Sequence, residues 1–332
     1  MTIPLWSLEI LETTDNSQLY TLLSKTDAAI HALLERDRIS DELVKHLIHW
    51  LRIKATQHKT RGVVVGVSGG VDSATVAALA KKAFPSSNRY FFLPCRSIEE
   101  DRLDAQRVAQ VLGINLELVD LTPSYNAMCT VLGADPEEEP APLHLMNLKA
   151  MLRTNFLVSI AIESRMLVAG TGNRSEMEHT GYFSLRGDGA CDHYVLGHFF
   201  KRQVCDLARL LDIPERIISK PPSHGLQILA DGTTPADEAE MGMLYADVEA
   251  STRLFMEFGP DLEAIANAAK ERFPDRAHNV LEACQRLGMR SWMNRHKTEP
   301  MPIAGSPKMT VPVFRDYPER FPFPDRLEKW QW

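Results

Sequence analysis

The passage that most restricts how this chain can fold lies in its first quarter. Gly62-Val63-Val64-Val65-Gly66-Val67 is a β-branched run, followed at once by Ser68-Gly69-Gly70-Val71-Asp72-Ser73 and a helical stretch over 72–83. A buried strand, a glycine turn and a helix are the grammar of an α/β nucleotide site. Glycine lets the backbone turn tightly and bring N–H groups close to an anion, and the helix N-terminus adds a favourable dipole. Gly66, Ser68, Gly69, Gly70, Val71, Asp72 and Ser73 are therefore the candidate phosphate-binding set, with the two serines able to donate hydroxyl hydrogen bonds. The passage lacks the Gly-Lys-Ser/Thr of a Walker loop and the G-x-G-x-x-G spacing of a dinucleotide fingerprint. Asp72 would repel phosphates unless a divalent cation lay between them; the alternative is that it only caps the helix.

The alternation continues down the chain. Strands are expected over 90–94, 116–120 and 166–170, with helices over 99–112, ended by Gly113, and over 147–164. Buried apolar strands separated by helices imply a parallel, doubly wound sheet, because parallel neighbours need crossover connections. Ligands of such sheets bind at the carboxyl ends of the strands. Ahead of the sheet, residues 22–56 carry apolar residues at helical spacing and predict two helices broken near 38–40, with Ser40 or Asp41 as cap. Beyond Lys220-Pro221-Pro222-Ser223 a polar loop is expected over 229–238, then helices over 239–257, 261–272 and 275–287. The organisation expected is a helical N-terminal segment (1–60), a central domain (61–298) and a Pro- and aromatic-rich tail (299–332).

Composition narrows the function. A formal net charge of −7 argues against a dedicated nucleic-acid binder. No apolar run reaches the length of a membrane span and the N-terminus does not read as a secretory signal, so neither a membrane nor nucleic acid is an expected partner. Five scattered cysteines without a C-x-x-C pair fit free thiols in a reducing compartment, and a cytoplasmic location is expected. His46, His49 and His58 read as surface or packing residues, and the acidic run over 135–139 as a solvated loop.

The Ser68–Ser73 hexapeptide in its strand–loop–helix setting resembles the pyrophosphate loop of the ATP-pyrophosphatase superfamily, which cleaves ATP to AMP and pyrophosphate while adenylating a carbonyl oxygen. Downstream, Gly170-Thr171-Gly172-Asn173-Arg174-Ser175-Glu176, Gly187-Asp188-Gly189-Ala190-Cys191-Asp192, Phe200-Lys201-Arg202-Gln203-Val204, Asp237-Glu238-Ala239-Glu240-Met241-Gly242 and His296-Lys297 resemble the blocks of the ammonia-dependent NAD synthetase family. The resemblance covers roughly residues 40 to 300 and implies an adenine nucleotide α-hydrolase-like fold. It implies that Thr171, Lys201 and Ser223 contact ATP, and that Asp72 and Glu176 hold Mg²⁺. Asp192, His296 and Lys297 would contact deamido-NAD, with Arg153, Arg186 or Lys149 the candidates to supply a cation that the pattern lacks here, while Asp188 would receive ammonia. Ser68, Lys201 and Asp188 are the implied catalytic groups, and a homodimer is implied.

Three departures from this pattern stand out, and the two lost charges fall on the acid side. Met151 and Leu185 stand where the family has an arginine and a lysine, and one extra residue lies between Glu176 and Gly181. The expected reaction is amidation of deamido-NAD through an acyl adenylate, with free ammonia, since the N-terminal segment is too short for an amidotransferase domain. The alternative is a divergent ligase that amidates a different carboxylate.

Overall fold

The computed structural model describes residues 16–294 and Lys297, apart from Glu139, His179, Ala230 and Pro260. Two units divide the chain: the first takes residues up to Asn173 together with 184–237, the second Arg174–Phe183 and everything from Glu238.

The first unit is built on a five-stranded parallel sheet. Its strands are β1 (Val63–Gly66), β2 (Arg89–Phe92), β3 (Leu116–Leu118), β4 (Leu167–Gly170) and β5 (His193–Tyr194), in the order β3-β2-β1-β4-β5. Side chains alternate across a strand, and here both directions are apolar. Val63 and Val65 enter one core with α1 (Asn16–Glu35), α2 (Asp41–Gln57), α3 (Val71–Ala83) and α8 (Lys201–Leu210). Val64 faces the opposite core, with Phe91, Val168 and residues of α5 (Thr122–Leu132) and α6 (Leu143–Ser164). All three valines are fully buried, each contributing about 1.5–3 kcal/mol of transfer free energy. Strand order reverses between β1 and β4, which is where a doubly wound sheet opens a crevice.

The two expected N-terminal helices are present, and Ser40 caps the second by accepting the Leu43 N–H at 3.4 Å. The helix expected over 99–112 is α4 (Glu99–Leu112), closed by left-handed Gly113. Several elements were not anticipated, α5, β5 and α8 among them. In α5 a proline occupies the first turn; it reads as a break in sequence but fits there, where its missing N–H has no intrahelical partner. Strand β5 has two residues, too few to show a period. Helix α8 carries Val204, Leu207 and Ala208 at i, i+3, i+4 on its buried face, a regular helical signal that the expectations above did not use.

In the second unit, α11 (Tyr245–Phe258), α12 (Leu262–Arg272) and α13 (Ala277–Met293) enclose their own core around Val248, Leu254, Ile265, Val280 and Leu287. The short helices α7 (Arg174–Met177), α9 (Glu215–Ser219) and α10 (Asp237–Met241) complete the set among the described residues. The single helix expected over 239–257 is two, α10 and α11, because Gly242 adopts φ +65° and turns the chain between them.

Candidate active site

After β1 the backbone turns through Gly69, at φ +91°, and enters α3 from Gly70. A side chain at Gly69 would stand in a disfavoured conformation and meet the Asp101 carbonyl oxygen at 2.7 Å, so only glycine fits. The serines close the loop on itself. Ser73 Oγ accepts the Ser68 N–H at 3.1 Å, lies 3.1 Å from Ser68 Oγ, and donates to the Gly70 carbonyl at 3.0 Å. Ser68 is exposed and Ser73 buried, so Ser68 presents the accessible hydroxyl.

Asp72, in the first turn of α3, is half-buried. Its Oδ2 accepts from the Lys201 ammonium at 2.5 Å and its Oδ1 from the Asn173 amide at 2.9 Å. Lys201 opens α8, whose start is fixed by Gln203 Oε1 accepting the Phe200 N–H at 3.0 Å. Asn173 is fully buried and ends the Gly170-Thr171-Gly172-Asn173 turn that leaves β4. Residues from the ends of β1 and β4 therefore meet across the crevice, with Lys201 joining from α8. Asp72 does more than cap its helix: both of its oxygens are engaged by groups distant in sequence. Ser223 donates to Thr234 Oγ1 at 2.7 Å and accepts the Gly225 N–H at 3.2 Å.

Residues expected on the acid side are bonded mostly to backbone. Arg153 on α6 donates to the Leu93 carbonyl at 3.1 Å and to Ser97 Oγ at 3.1 Å, and burial lowers the pKa of its guanidinium. Asp192 Oδ2 accepts the Val168 N–H at 2.7 Å. Asp188, exposed, accepts the Ser184 N–H at 2.9 Å, and its carbonyl receives the Tyr194 hydroxyl at 2.8 Å. Met151 packs partly buried against the core that holds Val64, and Leu185 is exposed. Lys149, buried, donates to the Leu226 carbonyl at 2.7 Å. In the second unit, Glu176 Oε1 accepts the Tyr245 hydroxyl at 3.3 Å, and Lys297 donates to the Gly181 and Phe183 carbonyls at 2.8 and 2.7 Å. His296 and the 299–332 tail lie outside the described residues.

Thiol chemistry has no support here. All five cysteines are free, and burial pushes Cys191 up to about 12 and raises Cys95, Cys205 and Cys284 as well, away from the thiolate form that reacts. His49 is a packing residue, buried among core side chains with its imidazole pushed down to about 4, first by burial.

Sequence reasoning missed two groups. Asn173 stands within its motif without an assigned role, because a short amide after a glycine turn reads as turn chemistry. Asp104 carries no signal of its own in α4, yet it is fully buried and accepts from Lys220 at 3.0 Å, Arg107 at 2.8 Å and Arg216 at 3.3 Å. Burial works to raise its pKa, but these three cations outweigh it and hold the carboxyl below its usual range. Only the i,i+3 pair Asp104–Arg107 is visible in sequence.

Comparison with known proteins identifies the family and the fold. The NH(3)-dependent NAD(+) synthetase of Carboxydothermus hydrogenoformans is 43% identical over 209 residues, covering 63% of this chain and 84% of that protein. The solved structure of NMN synthetase from Francisella tularensis superposes with a TM-score of 0.65 at 28% identity, covering 80% of this chain and 98% of that one. NH3-dependent NAD synthetase from Campylobacter jejuni, at 22% identity and TM-score 0.59 over 79% of this chain and 97% of that one, shares the fold. The family model described as NAD synthase matches residues 43–297, from α2 through the sheet, the Asp72–Lys201–Asn173 set and the helices of the second unit. With both the loop and its surroundings accounted for, this chain is a member of the NAD synthase family.

Proposed function

We propose that this chain amidates the carboxylate of deamido-NAD with ammonia, driven by conversion of ATP to AMP and pyrophosphate through an acyl adenylate. The observation that carries the reading is the Ser68–Ser73 loop at the β1/β4 crevice, with Asp72 held between Lys201 and Asn173. The 43% identity to an NH(3)-dependent NAD(+) synthetase supports the choice of acid and amine.

A divalent cation suits this donor set. Asp72 now holds the Lys201 ammonium on one oxygen; a divalent cation at that carboxylate would take the place of the ammonium, which would turn to phosphate oxygens. Magnesium is held by one or two protein carboxylates plus phosphate oxygens and water. Asp72 and Glu176 are the residues proposed to hold it. When bound it would neutralise charge on the pyrophosphate.

The residues then divide the work. The substrate carboxylate attacks the α-phosphorus, and the phosphorus–oxygen bond to pyrophosphate breaks. Backbone N–H groups of the loop, the Ser68 hydroxyl and the Lys201 ammonium stabilise the leaving pyrophosphate as charge builds on it. Thr171 and Ser223 orient the nucleotide. Ammonia attacks the acyl carbon, Asp188 takes its proton, and AMP departs. Arg153, Asp192 and the His296-Lys297 pair serve the acid. A homodimer is proposed on the exposed apolar side chains Met128, Val131 and Leu132 of α5 and Leu143 and Ile162 of α6. By length and composition alone α6 is long and apolar enough to cross a membrane, against the expectation that no run is, but its Leu145, Leu148, Leu157 and Ala161 are buried in the core. A cytoplasmic setting suits the five free cysteines.

Purified protein with Mg-ATP and ammonium should release pyrophosphate and form NAD in equal amounts when deamido-NAD is added, and neither without it. Turnover of the corresponding mononucleotide acid in preference to deamido-NAD would contradict the choice of acid while leaving the reaction type intact.

A further inference from the structure

Asp104 and Lys220 have no part in the proposed reaction, yet they form a largely buried ion pair beside the phosphate loop. The phosphate loop rests on the first turns of α4: a Cβ at Gly69 would lie 2.7 Å from the Asp101 carbonyl oxygen and 3.1 Å from Asp104 Cβ. From the other side, Lys220 reaches the same turns, its ammonium 3.0 Å from Asp101 Oδ1 and 3.0 Å from Asp104 Oδ2. Asp104 is fully buried, while the Lys220 side chain is only 22% exposed.

The two prolines after Lys220 make this contact more than local. Pro221 and Pro222 fix their own φ angles, so the direction in which the chain leaves Lys220 is carried rigidly to Ser223. The far end of the short segment is held by Lys149, which donates to the Leu226 carbonyl at 2.7 Å. Between the two ends, the Pro222 carbonyl accepts the Asp237 N–H at 2.9 Å. Two lysines thus tether residues 220–226, and the anchor of the first is the helix turn that also supports Gly69.

We propose that Lys220 and Asp104 are positioning residues for ATP: their ion pair straps the segment carrying Ser223 to the same turn of α4 that seats the phosphate loop, so one buried carboxylate sets both. This rests on the reading that the loop end binds ATP. The strap touches no reacting atom and acts through the placement of Ser223 and Gly69. An ordinary structural ion pair would lower stability without favouring one substrate; a strap of this kind makes its loss specific to the nucleotide.

Mg-ATP binding is measured by calorimetry without any acid present, alongside KM for both substrates and the melting temperature. Lys220→Met should weaken Mg-ATP binding and raise KM for ATP by about tenfold, with KM for the acid unchanged. Lys220→Arg should keep most of the affinity. Asp104→Asn should act in the same direction as Lys220→Met, and in Mg-ATP affinity the double variant should lose less than the sum of the two single ones, because the Lys220–Asp104 contact is common to both; the loss of the Arg107 and Arg216 partners of Asp104 is read in the melting temperature. Because Asp104 is buried, its variant can lose the fold; Lys220→Met then decides alone. Unchanged Mg-ATP affinity in folded Lys220→Met protein would overturn the strap, as would equal losses for both substrates. Wild-type protein that binds no Mg-ATP would instead overturn the functional reading, and the strap with it.

Discussion

At the end of β1, Asp72 gives both carboxylate oxygens to side chains, Lys201 and Asn173, whereas beyond β4 Asp192 gives an oxygen to the Val168 N–H of the sheet itself. On the loop side, Ser68 and Ser73 bond one another but also hold main-chain groups of the turn they close, so there the contrast rests on Asp72 and its two partners. On the other, Arg153 and Lys149 donate to the main chain at Leu93 and Leu226. Side chains that bond to each other can exchange partners for a ligand without disturbing the backbone. Those that hold main-chain groups cannot leave without exposing a buried N–H or C=O. Loop-side groups are therefore expected to govern turnover, and acid-side groups to govern stability as much as substrate.

The largest test of this contrast is on the loop side. Lys201→Met and Asp72→Asn should each lower kcat on the order of 10²–10³-fold, as losing a group that stabilises developing charge does. Steady-state kinetics and thermal melts on the same samples check it; loss of the fold in place of turnover would erase the contrast.

On the acid side the expected effect is mainly on stability. Asp192→Ala leaves the Val168 N–H without its acceptor and should cost about 1–3 kcal/mol, read from chemical denaturation. The adjacent His193 adds a pH signature. Its imidazole is buried beside Trp50, neither nitrogen has a hydrogen-bond partner among the described residues, and burial, with smaller contributions from Lys54 and His58 against Asp192, pushes it down to about 4. An unfolded histidine titrates near 6.5, so between about pH 6.5 and 4 the unfolded chain binds the extra proton and stability falls with pH. At pH 5 this should amount to about 2 kcal/mol relative to pH 7.5. His193→Phe should lose that part of the pH dependence, and an unchanged slope would count against it.

How much of this was legible in sequence divides along the same line. The loop and its strand and helix were readable because glycines, β-branched residues and helical spacing are local signals, and α4 matches its expected range to the residue for the same reason. The partners of Asp72 were not legible by periodicity. Lys201 and Asn173 lie 129 and 101 residues away in sequence and are brought in by the strand order; only motif resemblance pointed to Lys201. Asp104 could not be found at all, since its burial depends on packing between α4 and Gly69. The backbone bonds of Arg153 and Asp192 were equally hidden, because a charged side chain in a motif block looks the same whether it faces a ligand or a carbonyl.

The smallest expected effect concerns the departures. Leu185 is exposed, so Leu185→Lys should bring back a cation with little structural cost. A solvent-screened charge contact is worth up to about 1 kcal/mol, so KM for deamido-NAD should fall by about threefold with KM for ATP unchanged. A rise in KM for deamido-NAD would place that side chain outside the path of the acid.

The most direct test of the central claim traces oxygen. Deamido-NAD labelled with ¹⁸O in its carboxylate is turned over with Mg-ATP and ammonium, and the AMP is examined by mass spectrometry. Attack of the carboxylate on the α-phosphorus predicts one labelled oxygen in AMP for each turnover. Label in inorganic phosphate with ADP as the nucleotide product would mean attack on the γ-phosphorus, and would contradict the assignment of the Asp72–Lys201 end to adenylate formation.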